Sequence, residues 1–202
     1  MKVGMTVSYM AEGIKHPQWQ LWSGELSAET CDRWLEICRR RTPIPAKTFR
    51  TGDSDDEDNL GTRKTQIRWI YDDADSKEIF TTLQYYLTEA NKVMPTDIDH
   101  LPPIQFTEYA DVGHHYSNHH DVDWNRQDGK HRKLSITVQL SDPSEYAGGI
   151  FQFAHTENPA PEAVGARGSI LVFYPYLEHL VTPILNGSRS SLVAWVEGPR
   201  WH

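Results

Sequence analysis

From Leu101 onward the chain consists of short apolar or alternating stretches, cut by turn signals about every dozen residues, and this texture limits what it can fold into. Strands are expected near 104–109, 114–119, 133–140, 149–154, 169–174, 179–184 and 190–197. Pro143, Gly148-Gly149, Pro159, Pro161, Pro175 and Asn186-Gly187 mark the breaks between them. Proline has no amide to give to a ladder, and glycine and asparagine accept tight turns. Short antiparallel strands in this number predict two facing sheets, a jelly roll.

The first half has a different pattern. Met1 to Pro17 is mixed and carries no clear period, and Gln18 to Leu26 reads as a short strand. Ser27 is a plausible N-cap with Glu29 in the first turn. Cys31, Trp34, Leu35 and Cys38 then recur at helical spacing, so a helix is expected over about 28–40, ended by Pro43 and Pro45. Thr65 to Tyr71 alternates like a half-buried strand. Ser76 can cap a second helix whose stripe is Ile79, Phe80, Leu83, Tyr86, Leu87, Ala90 and Val93, with Pro95 closing it. These helices need a surface, and the outer face of one sheet offers it. Between them, Gly52 to Asn59 is acidic at 53–58. The run lacks the glycine and terminal glutamate of an EF-hand loop, so a solvated loop is favoured over a calcium site.

At 202 residues, with 38% hydrophobic and 24% charged content, the chain is expected to form one domain over 1–202. In that reading 1–100 supplies strands and supporting helices, and 101–202 the jelly-roll core. The net charge of −8 opposes long-range attraction to a polyanion, which weighs against nucleic acid as partner. Cys31 and Cys38, both on the first helix and about two turns apart, fit buried thiols better than a disulfide. No apolar run reaches transmembrane length and no signal-peptide core is visible, so a soluble, cytoplasmic protein without membrane contact is expected.

One motif stands out in the β-rich half, His119-His120-Asp121. On a strand, residues i and i+2 share a face, which would put the His119 imidazole beside the Asp121 carboxylate. A distant histidine can complete the facial two-histidine, one-carboxylate set of a non-haem Fe(II) centre, and His179 is the candidate. His120 should face away. A closed zinc site would need more of His114, His115, His120 and His131 to be recruited, and no cysteine stands near, so these are read as bystanders. Arg189 follows His179 just before the apolar run Leu192-Val-Ala-Trp-Val196.

With that ordered set the second half resembles the prolyl 4-hydroxylase-like branch of the Fe(II)/2-oxoglutarate oxygenases, in its bacterial and phage-type forms. The matching residues are Tyr109, Gly113, Tyr116, His119, Asp121, Lys133 to Pro143, Gly148 to Phe153, Gly168 to Phe173, His179 and Arg189. The likeness covers roughly Ile104 to Pro199. It implies a double-stranded β-helix core, Fe(II) held by His119, Asp121 and His179, and 2-oxoglutarate as co-substrate, with ascorbate allowed as a reductant. Arg189 would pair with the distal carboxylate, for which a planar guanidinium is the natural partner. Tyr109 matches a tyrosine of the family that contacts the co-substrate. Thr137 and Gln139 are weaker candidates for the same pocket; some relatives carry a tyrosine on this strand. Trp195 is expected either to wall the pocket or to be core. Asp123 and Trp124 after the motif, and Arg68 and Trp69 on the preceding strand, are candidates for a substrate groove.

The activity so implied is hydroxylation of a C–H bond, most readily in a peptidyl proline, with formation of succinate and CO2. A peptide or protein is then the expected partner. Two alternatives stay open on the sequence: the same chemistry on a free amino acid, small metabolite or nucleobase, and a non-catalytic jelly roll binding metal or sugar.

Overall fold

The computed structural model describes residues 5–9, 17–46 and 63–201; the acidic run 53–58 lies outside the described residues. The first helix, α1 (Ala28–Arg39), forms as the spacing predicts. The Ser27 hydroxyl accepts the Thr30 N–H at 3.2 Å, satisfying one of the amides that a helix start leaves unpaired. Cys31, Trp34 and Cys38 are fully buried on one face. Both cysteines are free thiols, and burial pushes the Cys38 thiol up to about 12, so it stays protonated and inert.

The second helix, α2 (Lys77–Asn91), buries Ile79, Phe80, Leu83, Tyr86, Leu87 and Ala90. Its ends differ from expectation. Ser76 makes no capping bond; its hydroxyl donates to the Tyr71 carbonyl. The Asp73 carboxylate instead accepts the N–H groups of Asp75 and Ser76, each at 3.1 Å. At the other end the helix stops before Pro95. The chain tightens there, with the Val93 N–H bonding to the Ala90 carbonyl at 3.1 Å, so Val93 leaves the stripe and is exposed. Gln20 Nε2 also donates to Ala90 O, at 3.0 Å, tying the helix end to the sheet.

The strands are β1 (Met5–Tyr9), β2 (Pro17–Trp22), β3 (Ile44–Pro45), β4 (Arg63–Lys64), β5 (Gln66–Ile70), β6 (Ile104–Tyr109), β7 (His115–His119), β8 (Lys130–Gln139), β9 (Tyr146–Gly148), β10 (Phe151–Phe153), β11 (Ile170–Phe173), β12 (His179–Val181), β13 (Ile184–Gly187) and β14 (Arg189–Pro199). They form an eight-stranded sheet in the order β1-β2-β11-β8-β14-β6-β5-β3, a four-stranded sheet β10-β12-β7-β4, and the pair β13-β9. This is the expected jelly roll, with every strand pair antiparallel.

Two expected strands differ. The one expected over 149–154 is shortened to β10, because the chain turns between β9 and β10, where Gly148 and Gly149 take positive φ of 78° and 60°. A Cβ on Gly148 would stand 2.1 Å from the Pro183 carbonyl oxygen, so only glycine fits. Around 179–184 the chain changes partner: β12 pairs with β7 and β10, whereas β13 pairs with β9. Pro183, without an N–H, sits at that switch.

Alternation along the central strands sorts the two faces of the large sheet. Leu134, Ile136 and Val138 of β8, with Leu192 and Ala194 of β14, have no exposed surface and lie on the side where α1 and α2 pack. Ser135, Thr137 and Gln139, with Ser191, Val193 and Trp195, point the other way, toward the small sheet. The helices therefore rest on the apolar face, and the polar face lines the interior of the roll.

Trp34, fully buried between α1 and the sheet, tests this packing. Trp34→Ala is expected to lower unfolding free energy by ~3–5 kcal/mol, read from the urea midpoint at unchanged m.

Candidate metal and co-substrate site

Antiparallel register brings the two candidate histidines together. His119 ends β7, His179 begins β12, and they are direct cross-strand partners with ring centroids 4.3 Å apart. Each ring is oriented in the same way. His119 Nδ1 is 2.8 Å from Ser117 O, and His179 Nδ1 is 2.9 Å from Leu177 O. A carbonyl oxygen only accepts, so Nδ1 carries the proton and the neutral ring keeps its lone pair on Nε2.

Both Nε2 atoms lie against Asp121: His119 Nε2 is 3.7 Å from Oδ1, and His179 Nε2 is 3.7 Å from Oδ2. Asp121 itself stands just past the end of β7, so strand alternation is not what aims it. Its N–H donates to Pro175 O at 2.7 Å, and Ser135 Oγ on β8 donates to its Oδ2 at 2.7 Å. Arg132 Nη1 adds a bond to its carbonyl oxygen at 3.1 Å. Burial alone would raise the carboxyl pKa; positive charge on the ligand side when His179 or His119 is protonated, together with the Arg132 guanidinium and the Ser135 hydroxyl, outweighs it and holds the carboxyl below the usual carboxylate range.

One ligand atom from each of His119, Asp121 and His179 lies within 4.8 Å of the other two, the one such group of three among the described residues. Two imidazole lone pairs and one ionised carboxylate form the donor set of a facial Fe(II) site, with only three positions taken by protein. The residues present fit the metal.

These ligands share a cavity with Tyr109, Thr137, Arg189 and Trp195, as well as Gln105, Tyr116, Phe151 and Ser191. Arg189 begins β14 opposite Tyr109 on β6, is 5% exposed, and places its guanidinium carbon 5.6 Å from the Tyr109 ring centre. No carboxylate pairs with it among the described residues. A buried guanidinium without an anion is costly, so its surroundings fit an anionic ligand. Tyr116 stacks on His119 with centroids 3.5 Å apart and helps hold the ring.

Several expected residues lie elsewhere. Gln139 faces the neighbouring cavity with Arg189, and its amide nitrogen is occupied by Ser141 O and Tyr146 Oη, each at 3.0 Å. Arg68 pairs across β6 with Phe106, on the helix side, where it binds Glu108 and donates to Arg41 O at 3.0 Å. Trp69, one residue on, faces the other way. It lines a surface groove of about 250 Å³ with Tyr71, Pro102, Pro103, Arg132, Trp195 and Glu197. Trp195 walls both this groove and the triad cavity, with Arg132 stacked on its ring at 3.7 Å. The Asp123 carboxylate accepts the Asn125 N–H at 3.0 Å in a local turn. Trp124 is exposed and meets the edge of His131, lining neither cavity nor groove. His120, just past the end of β7, is exposed.

Sequence reasoning passed over Ser135 and Arg132. Ser135 was detectable as the residue two before Thr137 in the polar row of β8; Arg132 bends toward Asp121 and carried no such signal.

Two histidines, a carboxylate and a buried arginine without a carboxylate partner among the described residues surround one cavity of a jelly roll, the arrangement characteristic of mononuclear non-haem iron oxygenases of the facial-triad type. The comparisons then narrow it. Residues 104–197 match the 2OG-Fe(II) oxygenase superfamily. A PKHD-type hydroxylase of Acidovorax ebreus is 35% identical over 101 residues, covering 47% of this chain and 43% of that protein. Another, from Azoarcus sp., is 30% identical over 151 residues, covering 60% and 64%. The chain thus spans about half to under two thirds of the length of these relatives. Among solved structures, a Pseudomonas putida prolyl-4-hydroxylase superposes with a TM-score of 0.67 at 20% identity, covering 93% of this chain and 94% of that one. A Trichoplax adhaerens prolyl hydroxylase, solved with a peptide fragment of the hypoxia inducible factor oxygen degradation domain, gives 0.68 at 15% identity, covering 89% and 83%. At such identities these two show the shared fold. Residues 104–197 thus carry the sequence match to the 2OG-Fe(II) oxygenase superfamily, and the chain shares its fold with solved prolyl hydroxylases.

Ser135→Ala removes the hydroxyl that orients Asp121 while leaving both histidines in place. Metal affinity is expected to fall ~10–100-fold without loss of fold, measured by competition with a chromophoric chelator.

Proposed function

We propose that the protein is an Fe(II)- and 2-oxoglutarate-dependent hydroxylase of a peptidyl residue, most readily proline. The observation that carries this reading is the joint placement of His119, Asp121, His179 and the buried Arg189, which has no carboxylate partner among the described residues, on one cavity. When bound, the metal and co-substrate would supply the oxidising chemistry, in which one oxygen atom of O2 goes into succinate as 2-oxoglutarate loses CO2 and the other converts a C–H bond to C–OH. His119, Asp121 and His179 hold the metal and leave positions open on it. Arg189, assisted by Tyr109, binds the distal carboxylate and so fixes the direction in which the 2-oxo acid lies. Phe151, Phe173 and Val181 line the cavity with apolar surface and keep water out.

The groove of Trp69, Tyr71, Pro102 and Pro103 supports a peptide as substrate. It meets the triad cavity at Trp195, and an aromatic and proline-lined trough suits an extended, proline-containing chain. The Trichoplax relative in fold, solved with a peptide, is consistent with this. Free proline offers nothing to fill such a trough.

The test is incubation of the metal-loaded protein with 2-oxoglutarate, oxygen and a library of proline-containing peptides. Gain of one oxygen atom by a peptide, matched by succinate, is expected, with free proline inert. Oxidation of free amino acids but of no peptide would overturn the peptide assignment. In the same assay Arg189→Ala is expected to weaken 2-oxoglutarate binding about 10- to 100-fold, corresponding to ~1.5–3 kcal/mol for a charged hydrogen-bonding group.

A further inference from the structure

The triad cavity encloses about 40 Å³, space on the order of three waters. That is well short of a five-carbon dicarboxylate, so some wall must yield when the co-substrate enters. A second cavity of about 220 Å³ lies directly beyond, lined by Gln139, Pro143, Tyr146, Gly148, Gly149 and Gly165 among others. Two side chains, Arg189 and Phe151, line both spaces. They are the partition.

Three features let Arg189 move toward the second cavity. Gly149 gives its stem clearance: a Cβ there would stand 3.0 Å from Arg189 Cδ. No carboxylate among the described residues anchors the guanidinium where it is. Gln139, on the neighbouring strand β8 and 3% exposed, lines the second cavity and has its Oε1 buried without a hydrogen-bond partner, an acceptor suited to an arriving N–H.

We propose that Arg189 and Phe151 form a movable partition, and that the second cavity sets the length of 2-oxo dicarboxylic acid the site accepts, admitting 2-oxoadipate alongside 2-oxoglutarate. The inference rests on the hydroxylase reading above. In a close-packed pocket an added methylene has nowhere to go and discrimination runs to ~10–200-fold. Here the guanidinium retreats by the added length and keeps its carboxylate. Gln139 acts as a positioning residue for Arg189 and touches no reacting atom.

The test is calorimetric titration of both acids into the Zn(II)-loaded protein, which binds without turnover. The dissociation constants are expected to agree within about tenfold. A larger preference for 2-oxoglutarate overturns the proposal. Gly165→Leu fills the second cavity from a helical position where an added Cβ meets nothing within 4 Å. It is expected to weaken 2-oxoadipate binding at least tenfold relative to 2-oxoglutarate, with Zn(II) affinity unchanged; an unaltered ratio overturns the proposal. Should that variant not fold, the comparison of the two acids on the unmodified chain decides. If Zn(II) binds and neither acid does, the hydroxylase reading fails and takes this one with it, an outcome distinct from selective binding of the shorter acid.

Discussion

The cross-strand pairing of His119 with His179 is the constraint from which the site follows. With β7 and β12 antiparallel in this register, the two rings stand as neighbours, with centroids 4.3 Å apart. Carbonyl oxygens two residues upstream of each ring fix the same tautomer on both, so two lone pairs point to one place. Asp121 then closes the set, and it is secured from both sheets: its N–H to Pro175 on the approach to β12, its carboxylate to Ser135 on β8. The distance between the sheets is therefore part of the ligand geometry. Helices α1 and α2, far from any chemistry, matter because they pack on and bury the other face of the large sheet.

Much of this was legible in the sequence, and the exceptions have physical causes. The period of 3.6 in α1 and α2 and the punctuated β-texture after Leu101 gave the architecture, since both patterns reflect burial on one face. Ends were less legible. Ser76 looks like a cap but is drawn back to Tyr71, and Pro95 lies beyond a helix that had already tightened at Ala90. Local propensity does not contain those tertiary bonds. The turn at Gly148-Gly149 and the split at Pro183 carried their signals openly, yet what they mark is a change of partner strand, which no local pattern states.

In the site, the triad and Arg189 stood out because their residue types are unusual in their settings. The substrate candidates fared worse for a simple reason: Arg68 and Trp69 are adjacent on a strand and cannot both face one groove. Trp69 lines the groove and Arg68 belongs to Glu108 and the helix side. The same alternation, read inversely, explains β8. In a half-buried strand the polar residues face solvent. Here Ser135, Thr137 and Gln139 face the interior of the roll, because that interior is where an ion and a dicarboxylate would be bound, while the apolar set lies under the helices.

The account depends most directly on the metal and the 2-oxo acid meeting in the cavity that Arg189 shares with the triad. An anaerobic titration of the protein with Fe(II) and 2-oxoglutarate, followed by visible absorption, tests this, because chelation of the keto acid by Fe(II) gives a weak charge-transfer band that a plain metal site lacks. A saturable band, abolished in His179→Ala, is the predicted result. Fe(II) demonstrably bound with no band at any concentration of 2-oxoglutarate would contradict the account.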